Sequence, residues 1–141
     1  MAAGSGVAVT GLGTVAATGA GGEALAAALA AGEPALSEVD RGAGYHRPGG
    51  ARLACLAGAV PLTPWLAAAE ARRMSPPSKL AVAAARMALA QAGGGEGDCG
   101  ENGAGATAVV LATTFGPSSF TERMLKQLFL DSPESVSPFL F

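Results

Sequence analysis

The stretch from Val7 to Gly32, VAVTGLGTVAATGAGGEALAAALAAG, decides the class of fold. Four apolar or β-branched residues, Val7 to Thr10, run into Gly11-Leu12-Gly13. A short apolar run closed by glycine is the pattern of an inner strand in an α/β sheet, where both faces are covered. The residues from Thr14 to Gly22 are small and predict a loop. Glu23 then opens a helix, EALAAALAA, with its carboxylate in the first turn where the helix dipole favours a negative charge. Gly32 is placed to end that helix, because glycine adopts positive φ without a steric penalty. Strand, glycine turn and helix in this order make one α/β unit.

Working outward, residues 33 to 62 carry little periodicity, and Pro, Gly and Arg punctuate short apolar pieces such as Arg52 to Leu56. Thr63-Pro64-Trp65 predicts a helix start, with Thr63 as N-cap and Pro64 in the first helical position, running to about Arg73. Ser75-Pro76 repeats the signal for a longer helix that reaches Gln91, with Leu80, Ala83, Ala84, Met87 and Ala88 on one face and Gly93 as its stop. Gly93 to Gly105, GGGEGDCGENGAG, is too glycine-rich for helix or strand. Ala106 to Ala112, ATAVVLA, predicts a second strand that is apolar on both faces. After a turn at Phe115-Gly116-Pro117, Ser119 and Glu122 have capping-box spacing. The helix they open puts Phe120, Met124 and Leu128 on its buried side, with Leu125 beside them, and Asp131-Ser132-Pro133 ends it. The last residues, Ser137-Pro138-Phe139-Leu140-Phe141, are apolar and carry no stop signal. Such an end is expected of a domain cut before it closes.

Bulk composition bounds the function classes. The 141 residues suit one domain, which at this size hides about 70% of the surface of its unfolded chain. Half of the residues are hydrophobic and 14% are charged, which argues against disorder. Nine basic and eleven acidic residues give a net charge of −2 with no basic stripe, so nucleic acid is not an expected partner. Met1 to Gly6 lacks the basic and apolar regions of a secretory signal, and the low-charge stretch from Val7 to Gly22 holds too many glycines for a membrane helix. A cytoplasmic location and no membrane association are the expectation. Two cysteines and one histidine offer neither a disulfide framework nor a zinc spacing, so no metal site is expected.

Four features call for a weighing of chemistry against structure. Gly11 to Ala16 fits the G-x-G-x-x-A form of a dinucleotide-binding turn, in which glycines let pyrophosphate approach a helix N-terminus. Here Gly19 to Gly22 delays the helix, and no second strand ending in an acidic residue follows, so a tight turn is the better account. Cys55 lies in a small apolar run and Cys99 in a glycine loop beside acids, surroundings that do not favour a thiolate. His46 has no partners in sequence that would make a triad. Arg72-Arg73 is able to bind an anion, but two arginines ending a helix more often make carbonyl contacts and ion pairs.

Four segments in order resemble the condensing enzymes of fatty-acid and polyketide synthesis. VAVTGLGTVAATGAGGEALAAALAAGEPAL is similar to the opening of a β-ketoacyl synthase, and ARRMSPPSKLAVAAARMALAQAG to the family's Arg-Arg-Met segment and the long helix after it. ATAVVLATTFGPSSFTE resembles the next strand and glycine turn, and SVSPFLF the Ser-Pro-Phe segment. The likeness runs from Val7 to Phe141, with departures at Pro76-Pro77 and in the glycine loop. It implies a thiolase-like fold of two α/β halves stacked as helix, sheet and helix layers, of which residues 1–141 make an incomplete first half. It implies that the nucleophilic cysteine, the two histidines and the supporting lysine of the family fall beyond Phe141, and that Cys55, Cys99 and His46 do not replace them. No catalytic residue and no cofactor are therefore expected here, and the chain is not expected to be active alone. The resemblance carries over only pocket lining: Phe115 after the strand, and Phe139 and Leu140 in the Ser-Pro-Phe segment, at an acyl pocket. Acyl carrier protein and a second ketosynthase subunit are the implied partners. Two alternatives stand beside the ketosynthase fragment: a non-catalytic companion resembling a chain-length factor, and a small nucleotide-binding α/β domain.

Overall fold

The computed structural model describes residues 6–40, 47–57, 60–93 and 108–138. Its elements alternate helices with short antiparallel ladders. The small residues after the first glycine turn form a tight hairpin instead of an open loop: β1 (Val15–Ala16) pairs with β2 (Gly19–Ala20), Val15 opposite Ala20. Gly21 N donates to the Thr14 carbonyl at 2.8 Å and ties off the hairpin. Gly19 sits at φ 132, a conformation that a side chain would resist.

Helix α1 (Gly22–Ala31) follows at once, with Glu23 in its first turn. It ends as its sequence predicts: Gly32 adopts φ 68 and its amide reaches the carbonyls of Ala28 and Leu29. A second hairpin joins β3 (Ser37–Glu38) to β4 (Leu53–Ala54), extended by a 2.7 Å bond from Val39 N to the Arg52 carbonyl.

The helix expected from Thr63 is displaced. Residues 62–66 close a turn in which the Leu62 carbonyl accepts from both Trp65 N and Leu66 N at 2.8 Å, and α2 (Ala68–Ala71) is a single turn beginning four residues later. Helix α3 (Pro76–Gln91) is the long helix that the sequence predicts, capped by Ser75. Its two leading prolines fit the start of a helix, because the first amides of any helix have no intrahelical acceptor to lose. The next two amides are both satisfied by Ser75: Ser78 N by its hydroxyl at 3.3 Å and Lys79 N by its carbonyl at 3.0 Å. Ala83, at 0% exposure, and Met87, at 5%, lie on the face predicted to be buried, and with Leu66 they make the buried apolar centre of the described residues.

Helix α4 (Ser118–Lys126) begins one residue before Ser119, with Pro117 at its N-cap and no side-chain cap. The expected capping box is not made; Glu122 instead pairs with Lys126 at 3.0 Å, one turn on. Phe120, Met124 and Leu128 are half-buried as expected, while Leu125 is exposed. The helix passes into a π-helical turn, Gln127–Asp131, and then a 3-10 turn, Pro133–Ser135.

Both predicted inner strands depart from expectation. Val7–Thr10 and residues 108–112 pair with no described residue, and their side chains lie open, Val7 at 99% and Val110 at 93% exposure. An apolar strand gains its stability from ladder partners and from layers above and below. The described residues place neither over these two segments.

Candidate functional site

Helix α3 packs against the glycine turn and borders two clefts of the described residues. The turn Gly11-Leu12-Gly13 lies backbone against backbone on it. A Cβ on Gly11 would stand 2.0 Å from the Ala88 carbonyl oxygen, and one on Gly13 would stand 1.8 Å from that of Ala84. Leu12 N donates to the side-chain carbonyl of Gln91 near the end of the same helix. The glycine spacing is thus explained by close helix packing. The surface that a pyrophosphate would approach in a dinucleotide motif is covered by α3, and the nucleotide alternative loses its physical basis.

Between the turn at 62–66, α2 and the first turn of α3 lies a groove of about 470 Å³. Val60, Leu62, Leu66 and Ala71 give it an apolar lining, and Arg72 and Lys79 bring two cations to it. An α3 side chain fixes its wall. Arg86 Nη1 donates to the Trp65 carbonyl at 2.8 Å, and the guanidinium grips Glu70 with two bonds of 2.9 and 3.1 Å. Glu70 also accepts from Ala67 N at 3.2 Å. The Arg86 hydrogen bond, and after it the Ala67 amide, hold the Glu70 carboxyl below its ordinary range. Residues 65–70 are thereby tied to α3 at a carbonyl and a carboxylate, and Arg72 follows two residues on.

A smaller cleft of about 220 Å³ separates the start of α3, at Pro77, Ser78 and Ala81, from Leu111, Ala112, Thr113, Gly116 and Pro117. Phe115 belongs to the same turn but does not line the cleft; its side chain is 84% exposed. Phe139 and Leu140 lie outside the described residues, as do Cys99 and His46. Cys55 follows β4 as an exposed free thiol. Among the described residues no group of three or more His, Cys, Asp and Glu converges as a metal site would, and no helix is long and apolar enough to cross a membrane.

The groove cations were only half visible in sequence. Arg72 stood out as a helix-ending arginine, but its place beside an apolar groove depends on how α2 meets α3. Lys79 does carry a signal in the sequence: a cation in the first turn of a helix opposes the dipole, so its position asks for another reason.

Comparison with known proteins places these elements in a family. Residues 5–140 match the family model described as beta-ketoacyl synthase, N-terminal domain. The solved structure titled "The ishigamide ketosynthase/chain length factor" is similar over 94% of this chain, at 31% sequence identity and a TM-score of 0.75. The match takes in 32% of that protein, so the chain spans about a third of its length. No curated protein matches the chain. Glycine turn, hairpin, α1 and α3 are therefore pieces of a thiolase-like α/β fold, and the chain belongs to the β-ketoacyl synthase family, of which it carries the N-terminal domain.

Proposed function

We propose that the chain serves the decarboxylative Claisen condensation of acyl and malonyl groups on acyl carrier protein, as the N-terminal domain of a cytoplasmic condensing system. The observation that carries this is the family match over residues 5–140. The groove adds chemistry that suits it: an apolar lining for an acyl chain, with Arg72 and Lys79 to meet an anionic carrier. The domain, residues 1–141, is not itself the catalyst in this reading. The cysteine and the two histidines that the family uses come from a further part of the assembly, and Phe115, Phe139 and Leu140 contribute acyl-pocket lining once that part is in place. The test is to incubate the chain with acyl- and malonyl-loaded carrier protein. Neither acyl transfer to the chain nor decarboxylation by it is expected; acylation that Cys55→Ala or Cys99→Ala abolishes would overturn the non-catalytic assignment.

A second reading, a companion subunit that pairs with a fuller ketosynthase, is favoured by one observation. The similar solved structure is titled as a ketosynthase together with a chain length factor. Co-expression with a complete ketosynthase separates the two. A stable pair that condenses acyl groups through the partner's cysteine supports the companion role, and failure to pair removes it.

A further inference from the structure

Arg86 does not line the groove, yet three bonds run from its guanidinium to the segment that does. Two of them form a bidentate fork on Glu70, the geometry in which arginine fixes orientation as well as distance. The third holds the Trp65 carbonyl, just before the buried Leu66 of the groove lining. Helix α2 is a single turn of Ala68, Ala69, Glu70 and Ala71, and three alanines supply little packing to hold it in place. Arg72 caps that turn, whereas Lys79 belongs to α3. The distance between the two groove cations therefore depends on how firmly α2 is held to α3, and among the described residues Arg86 and Glu70 are the charged groups that tie the two helices.

We propose that Arg86, through Glu70 and the Trp65 carbonyl, is a positioning residue for carrier recognition: it holds α2 so that Arg72 and Lys79 present their charges together beside the apolar groove. This inference rests on the carrier reading of the groove. Arg86 acts through Arg72 and needs no contact with the carrier.

Trp65 is the single tryptophan of the chain, so its emission reports the placement of this segment directly. The experiment measures binding of fluorescently labelled, acyl-loaded carrier protein to the full chain, together with any subunit it co-purifies with, and records Trp65 emission for each variant. Arg72→Ser and Lys79→Ser are expected to weaken binding. Arg86→Met is expected to weaken it several-fold and to shift Trp65 emission to the red, and to add little in the Arg72→Ser background, because neighbours that act through one another are not additive. Arg86→Lys keeps the charge without the fork and should recover part of the loss. Binding lost in Arg72→Ser and Lys79→Ser but kept in Arg86→Met overturns the positioning role alone, as do fully additive losses. Binding indifferent to Arg72→Ser and Lys79→Ser overturns the carrier reading and this inference with it. Should Arg86→Met unfold α3, Glu70→Gln, which leaves the arginine in place, must show the same non-additivity with Arg72→Ser; additive losses there overturn the proposal equally.

Discussion

Replacing Gly13 by alanine tests the central packing contact of the domain. The added Cβ would meet the Ala84 carbonyl oxygen at 1.8 Å, with the Ala84 carbonyl carbon and Ala88 N both at 2.8 Å. All three are helix backbone atoms, which have no rotamer to change. Returning the oxygen to ordinary contact near 3.4 Å requires a relative shift of about 1.6 Å between the turn and α3. A shift of that size also strains the bond from Leu12 N to Gln91. Overpacking of a tight contact usually costs about 1–3 kcal/mol, and rigid obstacles place this case at the upper end, near 3 kcal/mol. That corresponds to a loss of roughly a hundredfold in the folded-to-unfolded ratio. Gly22→Ala is the matched control. It stands in α1 with nothing within 4 Å of the new Cβ and without a positive φ, and there alanine should stabilise by about 0.5 kcal/mol. Denaturant titration of both variants in the protein's native assembly, followed by far-UV circular dichroism, reads the two effects with opposite signs. A Gly13→Ala midpoint equal to the unsubstituted one would refute the argument, since it would mean that turn and helix are not in the contact described.

Four further outcomes are expected. Ser75→Ala removes the hydroxyl that caps Ser78 N and should cost about 1 kcal/mol in the same titration, a loss that Ser75→Asp should largely restore. Because Arg86 lowers the Glu70 pKa in the folded state, the pair's stabilisation is present above the ordinary value of 4.5 and is lost as pH falls through the lower folded value; Trp65 emission should change only in that acid range, and Glu70→Gln should abolish the change. In an assembled ketosynthase containing this segment, Phe115→Gly should lengthen the accepted acyl chain, each added methylene contributing about 0.8 kcal/mol of apolar burial, and an unchanged product profile would remove Phe115 from the pocket. The isolated 141-residue chain should bind a hydrophobic dye strongly and melt without cooperativity, since Val7, Val9, Val109, Val110 and Leu111 are open to solvent; a sharp transition from a monodisperse monomer would contradict this.

Elements fixed by local chemistry were legible in the sequence. Glu23 and Gly32 bracket α1, Ser75-Pro76 and Gly93 bracket α3, and Asp131-Ser132-Pro133 ends the helical run after α4, because caps and stops act within one turn of themselves. The expectation failed where two local signals competed. Thr63-Pro64 looks like a helix start, but the Leu62 carbonyl draws Trp65 N and Leu66 N into a turn, and Glu70 reaches back to Ala67 N to begin α2 later. Ser119 and Glu122 have the right spacing for a box, yet Lys126 offers Glu122 an opposite charge one turn on. The family resemblance was legible from four ordered segments, because it depends on the kinds of residue and their order. The groove was not. Lys79 and Arg86 share α3, but Arg72 reaches the groove only through the way α2 is held against α3, and no spacing in the sequence encodes that placement.

The start of α3 has a consequence for local motion. Most helices open with several amides that water can reach, and their first turn frays and exchanges hydrogen quickly. Pro76 and Pro77 carry no amide proton, and the next two amides are both held by Ser75, a residue only 6% exposed. This helix therefore begins without an exchangeable, unheld N–H in its first four positions. Its first turn should resist fraying and exchange hydrogen slowly, while Leu12 N on Gln91 and the glycine turn against Ala88 hold the same helix near its other end.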